Sequence, residues 1–137
     1  MYKFWGKVRK ANLRGRKLGF PTANVNLSKS IPEGISNSTK GRIIVPEGVY
    51  ISKTKIGEST YPALTFIGKA KTFNEKKFQA EIFILDFKQN IYGKWISVSL
   101  LKKIRGNKKF NSAEELIVQM KKDEMIARKY FGLNFPS

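Results

Sequence analysis

The sequence predicts a mainly-β fold, an antiparallel barrel or sandwich with one packed C-terminal helix. Three observations carry this. Period-two alternation opens the chain in "YKFWGKV". Strand-like runs separated by turn residues fill the middle. After residue 111 the period changes to that of a helix. Antiparallel strands followed by a single helix pack as two layers around one core.

In order, Tyr2, Phe4, Gly6 and Val8 alternate with Lys3, Trp5, Lys7 and Arg9 as the first strand. Residues 11–21 hold two glycines and three cations without a sustained period, and read as a loop. A second strand starts near Ala23. "SKSIPEGISNSTKG" (residues 28–41) is a polar linker rich in Ser, Gly and Pro. "RIIVPEGVYISKTKI" gives a short strand, a turn at Pro46–Gly48 and another strand, and "YPALTFIGKAKTF" continues the pattern. "FQAEIFILDF" and "KWISVSLLKKI" are the strongest strand candidates, joined by the turn-like "KQNIYG". Ser112 with Glu115 forms a capping box, and Leu116, Met120, Ala127 and Phe131 follow on one helical face. Arg128 and Lys129 suit the last turn, and Gly132 the C-terminal cap.

Composition narrows the chemistry. The 137 residues suit a single domain spanning 1–137, with no internal repeat or boundary. Cysteine and histidine are both absent, which removes disulfides, thiolate chemistry, the commonest general base and the commonest zinc ligand. With no apolar run of membrane length and no signal-peptide core, the expected setting is the cytoplasm. The formal net charge of +17 draws anions, and residues 1–32 hold eight Lys or Arg with no acid. Solubility accounts equally well for scattered lysines such as Lys53 and Lys55.

Three constellations could carry chemistry. The stretch "GRKLGFPTAN" (residues 15–24) couples a glycine-bearing cationic loop to Thr22 and Asn24. Spacing by two puts a hydroxyl and an amide carbonyl on one face, and such hard neutral oxygens suit Mg²⁺. A proline-fixed turn bonding its own backbone is the alternative. Among ten carboxylates, Glu81 and Asp86 lie in the apolar "FQAEIFILDF", whereas Glu114, Glu115, Asp123 and Glu124 belong to the helix. Lost solvation there can poise Glu81 as a general base; a salt-bridged edge acid is the alternative. "LLKKIRGNKKF" packs five cations into residues 102–109 ahead of Phe110, able to grip a flat ring plus phosphate or to form a solvated loop.

The order of these signals resembles the riboflavin kinase family, including the kinase half of bifunctional bacterial FAD synthetases. The resemblance rests on "GKVRKANLRGRKLGFPTANV", "PEGVY", "AEIFILDF", "YGKWISVSLLKKIR" and "KKFNSAEELIVQMKKDEMIAR", from about Phe4 to Arg128. It implies a six-stranded antiparallel Greek-key barrel with a C-terminal helix. It also implies transfer of the ATP γ-phosphoryl group to the riboflavin 5′-hydroxyl, giving FMN and ADP with a divalent metal such as Mg²⁺. By position, Thr22 and Asn24 would hold metal and terminal phosphates, and Glu81 would take the hydroxyl proton. Ala11, Gly15, Arg16 and Lys17 would close over ATP, while Ile84, Asp86 and Tyr92 would line the nucleotide side. Arg105, Lys108 and Phe110 would close on the flavin. A monomer with flavin and nucleotide as partners is expected, with neither membrane nor nucleic acid. The basic nucleic-acid-binding barrel and a family member that binds without turnover are the competing readings.

Four positions depart from the family pattern. Ala11 replaces a glycine, Phe66 and Lys71 replace the Asn and Pro of a "NIG-x-x-PTF" run, and Gly106 replaces a proline. The adenylyltransferase domain that normally precedes the kinase in bacteria is not in the chain, so a stand-alone kinase or one excised domain is expected. Met1 directly before the first strand favours the former.

Overall fold

The computed structural model describes residues 2–9, 22–27, 31–32, 45–72 and 75–134. Strands β1 (Tyr2–Arg9), β2 (Ala23–Asn26), β3 (Ile31–Pro32), β4 (Gly48–Ile56), β5 (Ser59–Thr72), β6 (Glu75–Ile84) and β7 (Trp95–Arg105) precede helix α1 (Ala113–Phe131). They run in the order β2-β6-β5-β4-β7-β1-β3, and a further β1–β2 pairing closes the first six into an antiparallel barrel. Strands β4, β5 and β6 form consecutive hairpin partners, and β7 returns to lie beside β4. That is the Greek-key arrangement. The two-residue β3 extends β1 from within the stretch read as linker.

Alternation decides which side chains fill the barrel. Phe4 and Val8 of β1, Ala80, Ile82 and Ile84 of β6, and Ile96, Val98 and Leu100 of β7 form the interior. Residues between them face outward, where Val49, Ile51 and Leu64 meet Ala127 of α1, flanked by Phe66, Phe83, Ile104 and Phe131. The helix therefore covers one outer face of the barrel.

Irregularities of β4 and β7 set the entrance to the loop after residue 105. Their register shifts between Val49 and Tyr50 and again between Ile51 and Ser52. Gly48 has φ 148°, and a Cβ there would stand 2.7 Å from the Arg105 carbonyl oxygen. Only glycine accommodates that approach. Gly48 belongs to β4, so the turn read at Pro46–Gly48 ends one residue sooner, and Tyr50 ties it back by donating to the Pro46 carbonyl at 2.6 Å. The short strand read before it falls largely on residues outside those described.

Both helix ends match their sequence signals. Ser112 Oγ accepts from the Glu115 N–H at 3.2 Å, and Glu115 reaches back to the Asn111 N–H at 3.0 Å. Gly132, at φ 69°, closes the C terminus by donating to the Lys129 carbonyl.

Candidate active site

Strand register brings together residues far apart in sequence. Asn24 of β2 lies directly opposite Glu81 of β6 on one side and Arg9 of β1 on the other. Glu81 in turn lies opposite Phe66 of β5, and Phe66 opposite Val49. Direct antiparallel partners point to the same face with Cβ atoms about 4.5–5.5 Å apart. A continuous row Arg9–Asn24–Glu81–Phe66 thus runs across the outside of the barrel. Asn24, Glu81 and Phe66 are half-buried, and Arg9 is exposed.

Thr22 precedes β2 with the parity of Asn24. Its Oγ1 is buried and has no hydrogen-bond partner among the described residues, and Asn24 Oδ1 is likewise shielded from solvent. A buried hydroxyl without a partner costs about 1–3 kcal/mol, so folding alone gives no reason to aim it here. Thr54 Oγ1 shares that condition, but its strand neighbours Tyr50 and Ser52 are buried toward the barrel. No cluster of three or more His, Cys, Asp or Glu exists among the described residues. A divalent metal beside β2 would draw on neutral oxygens of the kind Thr22 and Asn24 present, and that donor set fits Mg²⁺, which leaves most of its shell to water and phosphate.

The turn between β6 and β7 lies at the same end of the site. Ile84 points into the barrel core. Asp86 adopts a left-handed backbone at φ 55° and is gripped by Arg128, whose Nη2 and Nη1 donate at 2.6 and 3.1 Å. Those hydrogen bonds, with the charge behind them, hold the Asp86 carboxyl below its usual range against a smaller opposing effect of desolvation. Arg128 also donates to Glu124 at 2.7 Å and to the Asn134 carbonyl at 2.9 Å, and its hydrogen bonds to Asp86 first and Glu124 second raise its own proton affinity against desolvation. Tyr92 is exposed. Its turn is sewn to β1, the Gly93 N–H donating to the Val8 carbonyl at 2.9 Å and the Val8 N–H to the Lys94 carbonyl at 2.8 Å.

At the end of β7, Arg105 does not project freely into the following loop. Its Nε and Nη2 clasp Asp123 at 2.9 and 2.7 Å, and the Asp123 side chain is fully buried. Gln119 donates to the same carboxylate at 3.0 Å. Asn107 fastens the loop to β5 by donating to the Ile67 carbonyl at 3.1 Å. Beyond it, Lys108 stands 6.0 Å from the Phe110 ring centroid, an exposed cation beside a half-buried aromatic.

Asn24 and Glu81 therefore share one face, with Thr22 two residues before Asn24 and the Asp86–Tyr92 turn beside β1. Arg105, Lys108 and Phe110 stand beyond Phe66 and Val49, whose partner across β7 is Arg105. Ala11, Gly15, Arg16, Lys17 and Lys71 lie outside the described residues and side chains. Sequence reasoning missed Arg9, which reads as an ordinary strand cation until register sets it beside Asn24. It also assigned Asp123 and Glu124 to the helix without a partner and Arg128 to its last turn, whereas all three are buried. Their position among the apolar residues of the helical face was the available signal.

Closed antiparallel barrel, single packed helix, and an amide paired with a carboxylate on one outer face together define the class. The chain belongs to the riboflavin kinase family, whose model (Flavokinase: Riboflavin kinase) matches residues 1–131. The trifunctional protein RibF/MnmA of Mycoplasmoides gallisepticum is 41% identical over 92% of this chain and 18% of its own length. The bifunctional riboflavin kinase/FMN adenylyltransferase of Bacillus subtilis is 37% identical over 96% of this chain and 39% of its own. The chain thus spans less than two fifths of these relatives. The crystal structure of riboflavin kinase from Trypanosoma brucei shares the fold, with a TM-score of 0.57 at 21% identity, over 96% of this chain and 82% of that one. No described helix is long and apolar enough to cross a membrane.

Proposed function

We propose that this domain transfers the γ-phosphoryl group of ATP to the 5′-hydroxyl of riboflavin, yielding FMN and ADP. The observation that carries the reading is the register Asn24–Glu81, with the Thr22 hydroxyl, buried and without a partner among the described residues, two residues before Asn24. Phosphoryl transfer demands positioning and charge neutralisation more than covalent chemistry from the protein, so a site without histidine suffices.

In this reading Thr22 and Asn24 hold Mg²⁺ together with the terminal phosphates. When bound, the metal neutralises charge that develops on the transferred group. Glu81 sits one strand over and accepts the proton of the attacking hydroxyl, a contribution of about 10²–10⁴ in rate. The family motif assigns Ala11, Gly15, Arg16 and Lys17, which lie outside the described residues, to the nucleotide, and the turn from Asp86 to Tyr92 borders it. Arg105 anchors the second loop through Asp123, so that Lys108 and Phe110 are the side chains presented to the flavin. The absence of cysteine suits a cytoplasmic setting.

A coupled ADP-release assay with Mg-ATP, run with and without riboflavin and with chromatographic identification of FMN, tests the reading. Riboflavin-dependent ADP matched by FMN is expected. Riboflavin binding without ADP release would leave a flavin binder in its place.

A further inference from the structure

We infer that Arg9 is a phosphate ligand of the nucleotide, reaching the metal seat from the β1 side. The inference rests on the nucleotide site proposed above and adds a residue to it. Two independent features of the backbone place Arg9 there. It is the direct antiparallel partner of Asn24, which is itself the partner of Glu81. Paired residues share a face, so Arg9 points to the outside of the barrel where Asn24 and Glu81 point. Separately, Val8, the preceding residue, is hydrogen-bonded through both its N–H and its C=O to the turn that carries Tyr92. Arg9 therefore stands between the metal seat and the turn bordering the nucleotide.

The state of the two other arginines among the described residues sharpens the assignment. Arg105 is committed to Asp123, and Arg128 to Asp86 and Glu124. Neither guanidinium is at liberty to receive a phosphate. Arg9 is exposed, and no hydrogen bond or ion pair engages its side chain among the described residues. Val8 is buried in the barrel core, which fixes the strand at this point. A planar fork of donors held on a fixed strand suits two non-bridging oxygens of a polyphosphate better than a lysine does. Its partner is thus the polyphosphate of a nucleoside di- or triphosphate, and the flavin has no part in the contact.

Calorimetric titration of the full chain with ADP, with and without Mg²⁺, in wild type and in Arg9→Gln and Arg9→Lys, tests this. Riboflavin binding and thermal unfolding serve as controls. Arg9→Gln is expected to weaken ADP binding about tenfold or more, the scale of a lost charge-assisted contact. Lysine should restore part of the loss, and riboflavin affinity and melting temperature should hold. In turnover, KM for ATP should rise with little change in kcat, because the contact serves ground and transition states alike. ADP affinity within twofold of wild type in Arg9→Gln overturns the assignment and leaves the kinase reading standing. Failure of wild type to bind ADP at all overturns the nucleotide reading, and the Arg9 assignment falls with it. An equal loss of ADP and riboflavin binding accompanied by a lower melting temperature would make Arg9 structural and overturn its role as a ligand.

Discussion

Replacing Asp123 by Asn should destabilise the fold and loosen the flavin-side loop together. The Asp123 carboxylate is fully buried and receives Arg105 Nε at 2.9 Å, Arg105 Nη2 at 2.7 Å and Gln119 Nε2 at 3.0 Å. Removing one member of such a buried pair typically costs about 3–5 kcal/mol, because the surviving charge loses its compensation. Two features place this case at the low end. Arg105 retains 19% exposure, so water can reach the guanidinium, and asparagine preserves the shape and one acceptor. We therefore expect about 3 kcal/mol, read from urea unfolding at neutral pH. A domain of this size loses roughly 3–4 °C of Tm per kcal/mol, so thermal unfolding should shift down by about 10 °C. Arg105→Gln and the double variant complete a cycle whose coupling should exceed about 1 kcal/mol. Because Arg105 is the last residue of β7, the same variants should raise KM for riboflavin more than KM for ATP. A loss below about 1 kcal/mol, or strictly additive single effects, would refute the account of the pair as a buried anchor.

Three further outcomes follow from the same geometry. Glu81→Gln should lower kcat by about 10²–10⁴ with riboflavin affinity retained, and unchanged turnover in single-turnover measurements would remove the base assignment. Thr22→Val should cripple Mg²⁺-dependent ATP use while leaving stability unchanged or slightly raised, since it deletes a buried hydroxyl that has no partner among the described residues. A clear drop in Tm for that variant would favour the turn reading of Thr22 over the metal seat. Asp86, whose proton affinity is lowered chiefly by the hydrogen bonds from Arg128, binds protons less readily folded than unfolded. Its stabilising effect is therefore full above the ordinary carboxylate range near pH ~4 and fades as pH falls through the lower folded value. The stability gap between wild type and Asp86→Asn should accordingly be constant at neutral pH and shrink in acid. Its size will be small because the carboxylate is 65% exposed, so a gap that widened on acidification is the result to look for against it.

Local signals carried most of the fold. Alternation in β1, β6 and β7 identified the strands because each has one face in the barrel and one outside, and the caps of α1 are set by Ser112, Glu115 and Gly132 within a few residues of the helix. The two-residue β3 could not be seen this way, since pairing with Trp5 and Phe4 makes it a strand and no period fits in two residues. The family motif reached further, naming Thr22, Asn24 and Glu81 as a set before any pairing was known. What it could not supply was register.

Register separates residues that look alike in the sequence. Arg9, Arg105 and Arg128 are three arginines near motif residues, and charge counting treats them as equal. Pairing distinguishes them: Arg128 meets Asp86 across 42 residues, Arg105 meets Asp123 across 18, and Arg9 lies opposite Asn24 with its side chain uncommitted among the described residues. The two committed arginines have one architectural consequence in common. Each binds a buried carboxylate of α1, and one ties the helix to the turn proposed to border the nucleotide while the other ties it to the loop proposed to border the flavin. Helix α1 contributes no residue to the chemistry proposed here, yet both borders of the site are fastened to it. A shift of the helix would therefore move both borders at once, and variants at Asp123 and at Glu124 should disturb flavin and nucleotide sides respectively. That difference separates a shared anchor from a generally weakened fold, which would raise both KM values together.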